Sequence, residues 1–189
     1  MRRALATVVS ALLLAGCSIG AERSAHVIDR RLVPHGLLAP ISASPTRSSG
    51  VPTENVTLYL ELSQSLVAVD QAVPSPVTLR TVLDVLARGP TATELANGLL
   101  SPVSSARPIT LESLVHGTAA VNLPSDFTDL GGQDQIVAAA QLVFTATAFP
   151  GIHRIALLVG GQPTAVPTAN GFLSRGSLSR SDYASLAPR

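Results

Sequence analysis

Cys17 carries the most reactive side chain of this 189-residue sequence, which contains no other cysteine. An intramolecular disulfide is therefore excluded, and the thiol is left for nucleophilic or attachment chemistry. Cys17 follows an Arg2-Arg3 pair and the apolar run 4–15, which is the order of an export signal. The apolar run is shorter than the ~20 residues of a membrane-spanning helix. The thiol thus lies where exported chains are processed.

The residues LAGC (14–17) resemble the bacterial lipobox. The resemblance implies that peptide 1–16 is removed and that Cys17 becomes the first residue, carrying S-diacylglycerol and N-palmitoyl groups. Two or more acyl chains hold a protein stably on a membrane. The alternative is an ordinary secretory signal with a chance cysteine. Since no later stretch reaches the ~18 apolar residues of a transmembrane helix, we expect a lipid-anchored protein on the extracytoplasmic face of the cell membrane.

Other catalytic or metal-binding patterns are weak. The four histidines, His26, His35, His116 and His153, form no i, i+4 pair, and neither CxxC nor HExxH occurs, so no metal site or cofactor is expected. No G-x-S-x-G elbow is present, and combining Ser125-Asp126 with a histidine into a hydrolytic triad would be arbitrary. The sequence therefore favours a non-enzymatic protein.

A glycine pair and three nearby acidic residues offer two further binding hypotheses. Gly131-Gly132 precedes a predicted helix and could hold an anion on free N–H groups, although without lysine no P-loop exists. Asp126, Asp129 and Asp134 lie around the same loop, but their spacing does not match a calcium-binding loop. We expect an ordinary loop and a solvated acidic edge.

Charge and composition argue against a nucleic-acid partner. The chain has 13 basic and 12 acidic residues, and removal of Arg2 and Arg3 leaves 11 against 12, a formal charge of −1. Aromatic residues make up 3% and tryptophan is absent, so stacking platforms for bases or sugars are not expected. All basic residues are arginine, which we attribute to coding bias in a GC-rich genome.

Residues 17–55 are predicted to be the lipidated N-terminus and a flexible linker rich in proline and serine. As a coil it would extend roughly 35 Å, from about 6 Å × √n. The runs 28–32 and 37–41 are apolar enough to leave open a short ordered piece that docks on the domain.

Alternating apolar residues predict strands over 56–62 and 66–73, which form a hairpin or two adjacent strands. Further hairpins are predicted where 109–115 and 119–123 meet at His116-Gly117, and where two strands flank Gly160-Gly161. The latter two strands are 152–159 and 162–167.

Helical periodicity appears twice. Leu79, Val82, Leu83 and Leu86 recur at helical spacing, with Ser75 or Thr78 as the cap and a stop at Gly89-Pro90. A second helix over 135–149 places Ile136, Ala140, Val143 and Thr147 on one stripe and ends at Pro150-Gly151. Ser179 is predicted to cap a last short turn.

The predicted order is β-β-α-β-β-α-β-β. Because hairpins pair antiparallel, we expect an α+β fold with a single antiparallel sheet and both main helices packed on one face.

Five segments in this order resemble the GerMN domain family over about 56–186. They are VTLYLELSQSLVAVDQAV, LARGPTATELANGLLSPV, AAVNLPSDF, AAAQLVFTATAFPGIHRIALLVGGQP and LSRSDYASL. The resemblance is to lipoproteins of high-GC Gram-positive bacteria, including the N-terminal part of LpqB-type proteins. It implies a compact, non-catalytic α+β unit, similar to the ring-building motifs of secretion and sporulation assemblies. Residues 1–16, 17–55 and 56–186 are then signal peptide, linker and domain.

The resemblance implies export, frequent lipidation and a place in envelope complexes. Because the sequence ends at Arg189, without the propeller-like region of LpqB-type proteins, a sensor-kinase partner is not expected. Gly89, Pro90, Gln141 and Tyr183 match the family pattern without an assigned role. Gly89-Pro90 is explained as a helix stop, and Gln141 as an amide that satisfies neighbouring backbone.

Two functions are therefore expected. The first is an interaction or scaffold module that docks an unidentified envelope protein, anchored to membrane lipid through Cys17, with oligomerisation left open by exposed sheet edges. The second is a lipoprotein that binds a small molecule or cell-wall glycan, or a weak hydrolase, with a cleft between loop 90–108 and Gly131-Gly132.

Overall fold

The computed structural model describes residues 51–103 and 107–188. The predicted signal peptide, Cys17, His26, His35 and nearly all of the linker lie outside the described residues. Within them, no helix has the length and apolar character needed to cross a bilayer.

The described residues form three helices, eight strands and two 3-10 segments, with the following bounds. The strands are β1 Thr53–Leu62, β2 Ser65–Pro74, β3 Thr110–Val115, β4 Thr118–Leu123, β5 Arg154–Val159, β6 Gln162–Pro163, β7 Val166–Pro167 and β8 Leu173–Ser174. The helices are α1 Leu79–Arg88, α2 Ala92–Ala96 and α3 Gly132–Ala146, and the 3-10 segments are Ser125–Asp129 and Arg180–Leu186.

The first predicted hairpin is confirmed as β1 and β2, which pair antiparallel without interruption from Thr53↔Pro74 to Leu62↔Ser65. The two residues between the strands, Ser63 and Gln64, have φ of 52° and 64°. Two consecutive positive φ angles define the type I′ turn, whose twist matches that of paired strands. Such turns usually contain glycine, but neither of these residues is glycine, so we attribute the turn to the packing of its two strands.

Helix α1 forms where its periodicity predicts it, and all four predicted core residues are buried. Thr78 is the cap, because its Oγ1 accepts from the N–H of Thr81 at 3.2 Å. Gly89 ends the helix with φ 79° and donates its N–H to Leu86 O at 3.0 Å. The following helix, α2, was not predicted. It starts with a reciprocal capping box between Thr91 and Glu94.

The α+β class is confirmed, but the single antiparallel sheet is wrong. The described strands form three sheets, with orders β1-β2, β3-β4-β5-β6 and β7-β8. The predicted hairpins β3-β4 and β5-β6 are present, but the predicted strand 162–167 is divided into β6 and β7, which belong to different sheets. Moreover, β4 pairs with β5 in parallel, from Thr118↔Arg154 to Leu123↔Val159. Helix α3 connects these two strands. Parallel neighbours need a crossover connection of this kind, since a tight hairpin turn can join only antiparallel strands.

Helix α3 lies between the sheets instead of against one face, which corrects the second part of the fold prediction. It contacts β1 and β2 of the first sheet, β5 of the second, β7 of the third, α1 and the C-terminal 3-10 segment. Residues 137–146 are buried on every side rather than along one stripe. A helix that is apolar all round belongs inside a core.

The outer edge of β1 is closed by polar contacts. The N–H of Tyr59 donates to Thr145 Oγ1 of α3 at 3.1 Å. Glu61 and Leu100 exchange both backbone hydrogen bonds, at 2.8 and 2.9 Å. A buried N–H without a partner costs more than its bond contributes, so Thr145 is a polar residue that the core requires.

Replacing Thr145 by valine tests this contact. The side chains have nearly the same shape, but valine leaves the N–H of Tyr59 buried without an acceptor. We expect a loss of about 1–3 kcal/mol in the free energy of unfolding. Far-UV circular dichroism in a denaturant titration measures it, since the chain has no tryptophan. Thr145→Ser keeps the hydroxyl and is the control. A loss in Thr145→Ser without a loss in Thr145→Val would show that methyl packing, not the hydrogen bond, matters.

Candidate functional site

Gly89 and Pro90 form the joint between α1 and α2. The positive φ of Gly89, 79°, is a conformation that favours glycine. Pro90 lies between Gly89 and the capping residue Thr91. Gly89 and Pro90 therefore shape the backbone between the two helices. Their place in the structure agrees with the predicted helix stop.

Gln141 is fully buried in α3 and holds the loop that follows α2. Its Nε2 donates to Leu100 O at 3.2 Å, and its Oε1 accepts from Ser101 Oγ at 3.4 Å. Leu100 is also the residue that bonds to Glu61 of β1. The amide therefore ties β1, the loop and α3 together, as a backbone-satisfying side chain should.

Tyr183 is fully buried in the C-terminal 3-10 segment and is bonded to β7. Its hydroxyl donates to Pro167 O at 3.0 Å. Burial, and then the negative charge of Asp182, raise the pKa of the Tyr183 phenol well above its ordinary value. The ring is thus a neutral hydrogen-bond donor over the physiological range, and it fixes the start of the turn that follows β7.

That turn is the candidate functional site. It comprises residues 168–174 and is called the apolar turn below. Thr168 closes it, because both its N–H and its Oγ1 donate to Phe172 O, at 2.9 and 3.0 Å. Gly171 donates to Thr168 O at 2.8 Å, and Ala169 donates to the backbone oxygen of Asp182 at 3.0 Å. The loop is therefore held by its own bonds and by the segment that carries Tyr183.

The apolar turn presents Phe172 and Leu173 to solvent at 73% and 71% of their full exposure, the two highest values among the exposed large apolar residues of the described chain. Two adjacent large apolar side chains on a hydrogen-bonded turn form a small exposed apolar patch. Arg175, also exposed, follows directly and adds a positive charge. The turn 168–174 contains no cysteine, histidine, lysine or carboxylate, so its exposed side chains offer contact surface rather than an activated nucleophile.

Arg180 fixes the base of the site on α3. Its guanidinium lies 5.1 Å from the ring centre of Phe144 and 5.4 Å from that of Tyr59. It also donates to Thr147 Oγ1 at 2.8 Å and to Phe144 O at 3.1 Å. A cation at a helix C-terminus and over aromatic faces is favourable on both counts. The predicted Ser179 cap is present as a box with Asp182.

The described histidines and acidic residues do not assemble a site. His116 lies in the β3–β4 turn and His153 beside Gly117, where a Cβ on the glycine would come within 2.8 Å of the imidazole. Asp126, Asp129 and Asp134 are exposed along loop and helix start. Within 51–103 and 107–188, no group of three His, Cys, Asp or Glu side chains has the arrangement for a metal ion.

A cleft does form near the predicted place, between the end of loop 90–108 and the region before α3. It is lined by Pro102, Val103, Ile109, Leu123, Pro124, Asp126, Phe127 and Leu130. Its volume of about 90 Å³ is well below the ~300–1,000 Å³ of typical ligand pockets. Neither Gly131 nor Gly132, which were expected to border the cleft, lines it, and neither Asp129, Asp134 nor a histidine does.

The sequence pattern singled out Tyr183 without a role and did not single out Phe172 and Leu173. Their signal was present, because two large apolar residues follow Asn170-Gly171, a typical turn pair, and belong to no periodic stretch. A large apolar pair in a turn rarely serves the core. The hydrogen bond from Tyr183 to Pro167, which holds the start of the turn, joins residues 16 positions apart. No local sequence pattern therefore predicts it.

These observations define the class of the protein. It is an α+β domain whose core surrounds α3 and whose described residues form no catalytic cluster. Residues 57–165 match the model of the Germane family, described as sporulation and spore germination. This match covers more than half of the chain, which therefore belongs to that family. No match was found among curated proteins.

Two solved structures show the same fold. The tandem GerMN domains of the sporulation protein GerM from Bacillus subtilis share 21% identity, with a TM-score of 0.54, over 69% of this chain and 48% of that one. The first GerMN domain of the same protein shares 23% identity, with a TM-score of 0.53, over 68% of this chain and 99% of that one. The chain thus spans about half the length of the tandem structure.

Tyr183→Phe tests how the apolar turn is held. Removing the hydroxyl leaves Pro167 O without its donor, and we expect a loss of about 0.5–1.5 kcal/mol in unfolding free energy at pH 7. The raised pKa of Tyr183 adds a pH signature. Its stabilising effect is complete below the unfolded-state pKa of about 10 and is lost as pH rises through the folded-state pKa. Denaturant titrations from pH 8 upward should therefore fall less steeply for the variant. Parallel curves would contradict this assignment.

Proposed function

We propose that the chain is a lipid-anchored, non-enzymatic interaction module of a bacterial cell-envelope complex. The observation that carries the proposal is the apolar turn, which exposes Phe172 and Leu173 on a rigid loop. Membership of a family described by sporulation and spore germination supports an assembly role. The LAGC sequence at 14–17 supports the anchor, through Cys17.

The partner is proposed to be another envelope protein with an apolar pocket. Phe172 and Leu173 have the size that such a pocket buries, at about 1.5–3 kcal/mol for each side chain. Aromatic and arginine residues are the anchors most often found at protein interfaces, and the turn supplies Phe172 and Arg175. With a formal charge of −1 after processing, the chain offers no general attraction to nucleic acid.

Glycan binding or hydrolysis is the weaker alternative. It needs a cleft that holds a sugar and groups that polarise a bond, whereas the cleft at Val103 and Phe127 has about 90 Å³ and one carboxylate, Asp126. Two positioned carboxyl groups are the usual requirement for glycoside hydrolysis. The proposal therefore favours binding of a protein surface.

Cys17→Ser tests the anchor. If Cys17 is acylated, palmitate should label the protein with the native Cys17, and this protein should be found in the membrane fraction. The serine variant should lose both the label and membrane retention. The expected change is large, because two acyl chains make attachment effectively stable. Ser18→Ala, the adjacent conservative change, is the control and should keep both. An unlabelled, freely released protein with Cys17 intact would contradict the anchor.

Phe172→Ser combined with Leu173→Ser tests the contact surface. A photo-crosslinking residue in place of the exposed Asn170 should capture a recurrent envelope protein in intact cells. Photochemistry suits this chain, since it has no lysine for amine-reactive reagents. The double change should lower capture at least about tenfold, the effect of 1.4 kcal/mol. It should leave unfolding free energy nearly unchanged.

The matched control is Leu114→Ser with Val115→Ser, another exposed apolar pair, at 53% and 56% exposure on β3. Capture should persist in this variant. If both double variants lost capture equally, the loss would not be specific to Phe172 and Leu173. Capture of lipid alone at position 170 would contradict a protein partner.

A further inference from the structure

The outer edge of β2 forms no backbone hydrogen bond from Ala68 to Ala72 with any other part of the described chain. Ser75 donates its N–H to Pro52 O at 2.7 Å, so odd-numbered residues of this strand point their N–H and C=O toward β1. Tyr59 and Glu61 independently agree, because their backbone bonds point away from the hairpin and they pair with even-numbered β2 residues. The residues whose N–H and C=O point outward are therefore the buried Leu66 and the exposed Ala68, Asp70 and Ala72.

The other described edges are each closed or interrupted. The outer edge of β1 is covered by Thr145 and Leu100. Strand β3 has a bulge between Leu111 and Ser113, and the Arg80 guanidinium donates to Leu111 O at 3.3 Å. Strands β6, β7 and β8 have two residues each. Natural sheets use such devices to prevent edge-to-edge pairing.

From Ala68 to Ala72, strand β2 has none of these protections within the described residues. It is ten residues long, its register with β1 is unbroken, and it contains neither lysine nor arginine. Its one proline, Pro74, is the last residue of the strand. Val67 and Val69 lie on the same face of the hairpin as their buried partners Leu60 and Leu58, yet both valines are only half-buried. We attribute this to the open edge, since no strand of the described chain lies beside β2 on that side.

We propose that this edge pairs antiparallel with the β2 edge of a second copy of the chain, about a two-fold axis at Val69. In this register Ala68 lies opposite Asp70 of the second copy, and Leu66 lies opposite Ala72. Ala68 and Asp70 of each copy, which are both exposed, then exchange backbone hydrogen bonds with Asp70 and Ala68 of the other. The two hairpins become one four-stranded antiparallel sheet, β1-β2-β2-β1.

Charge and shape favour a second copy in this register. Asp70 is the only ionisable side chain of β2, and here it faces alanine, whereas an axis at position 70 would place two carboxylates opposite each other. Thr57 Oγ1 already donates to Asp70 at 2.8 Å, which holds the carboxylate on its own hairpin. A groove of about 580 Å³ along Ser65–Ala68, lined also by Leu62 and Pro188, leaves room for the incoming strand.

Disulfide trapping distinguishes this register. In the full chain carrying Cys17→Ser, Val69→Cys places two thiols at a non-hydrogen-bonded pair, with Cα atoms about 4.5 Å apart. That separation is within the ~4.4–6.8 Å range of disulfides. Val67→Cys is the matched control, since it faces Gln71 of the second copy and its two thiols would be about 13 Å apart along the strand. Mild oxidation should dimerise the first variant and leave the second monomeric.

Sedimentation velocity of the full chain in mild detergent, with the native Val69, provides the second measurement. We expect a dimer, and a monomer for Ala68→Pro, because proline removes an outward N–H but no bond to β1. Ala68→Thr should remain dimeric, and circular dichroism confirms that each variant is folded.

A monomer at all concentrations, equal cross-linking at both cysteine positions, or an Ala68→Pro dimer would overturn the proposal. These outcomes concern β2 alone, so the proposed contact through Phe172 and Leu173 can fail or succeed independently.

Discussion

The structure depends on the need of the β1-β2 hairpin for cover, because two strands alone are at best marginally stable in water. Helix α3 supplies that cover, and the contact is polar as well as apolar: Thr145 accepts the outward N–H of Tyr59. The same helix connects β4 to β5 and contacts β7. One buried element thereby joins three small sheets, none of which has a large face of its own.

The C-terminal segment links this core to the surface. Arg180 binds the end of α3, while Tyr183, three residues later, binds the backbone before the apolar turn. The position of Phe172 and Leu173 is therefore tied to the core through a few long-range contacts. Family-pattern positions such as Gln141 and Tyr183 act through backbone carbonyls, of Leu100 and Pro167, and so fix geometry rather than chemistry.

Local patterns predicted local structure well. The hairpin turns at His116-Gly117 and Gly160-Gly161, the helix α1 and its stop at Gly89 all depend on neighbouring residues, and all are present. The parallel pairing of β4 with β5 was missed because it joins residues more than thirty positions apart and depends on how α3 packs. Short α2 was missed because its five residues have no apolar period, although Thr91 and Glu94 have capping-box spacing.

The β4–α3–β5 crossover has a consequence for the order of folding. Hairpins β3-β4 and β5-β6 join nearby residues and form on microsecond timescales. Pairing of β4 with β5, in contrast, closes a loop that contains the whole of α3. Distant contacts are formed late because loop entropy is lost before they contribute. Until α3 docks, the facing edges of β4 and β5 are both open. The parallel ladder from Thr118 to Leu123 is therefore the step at which we expect folding and aggregation to compete.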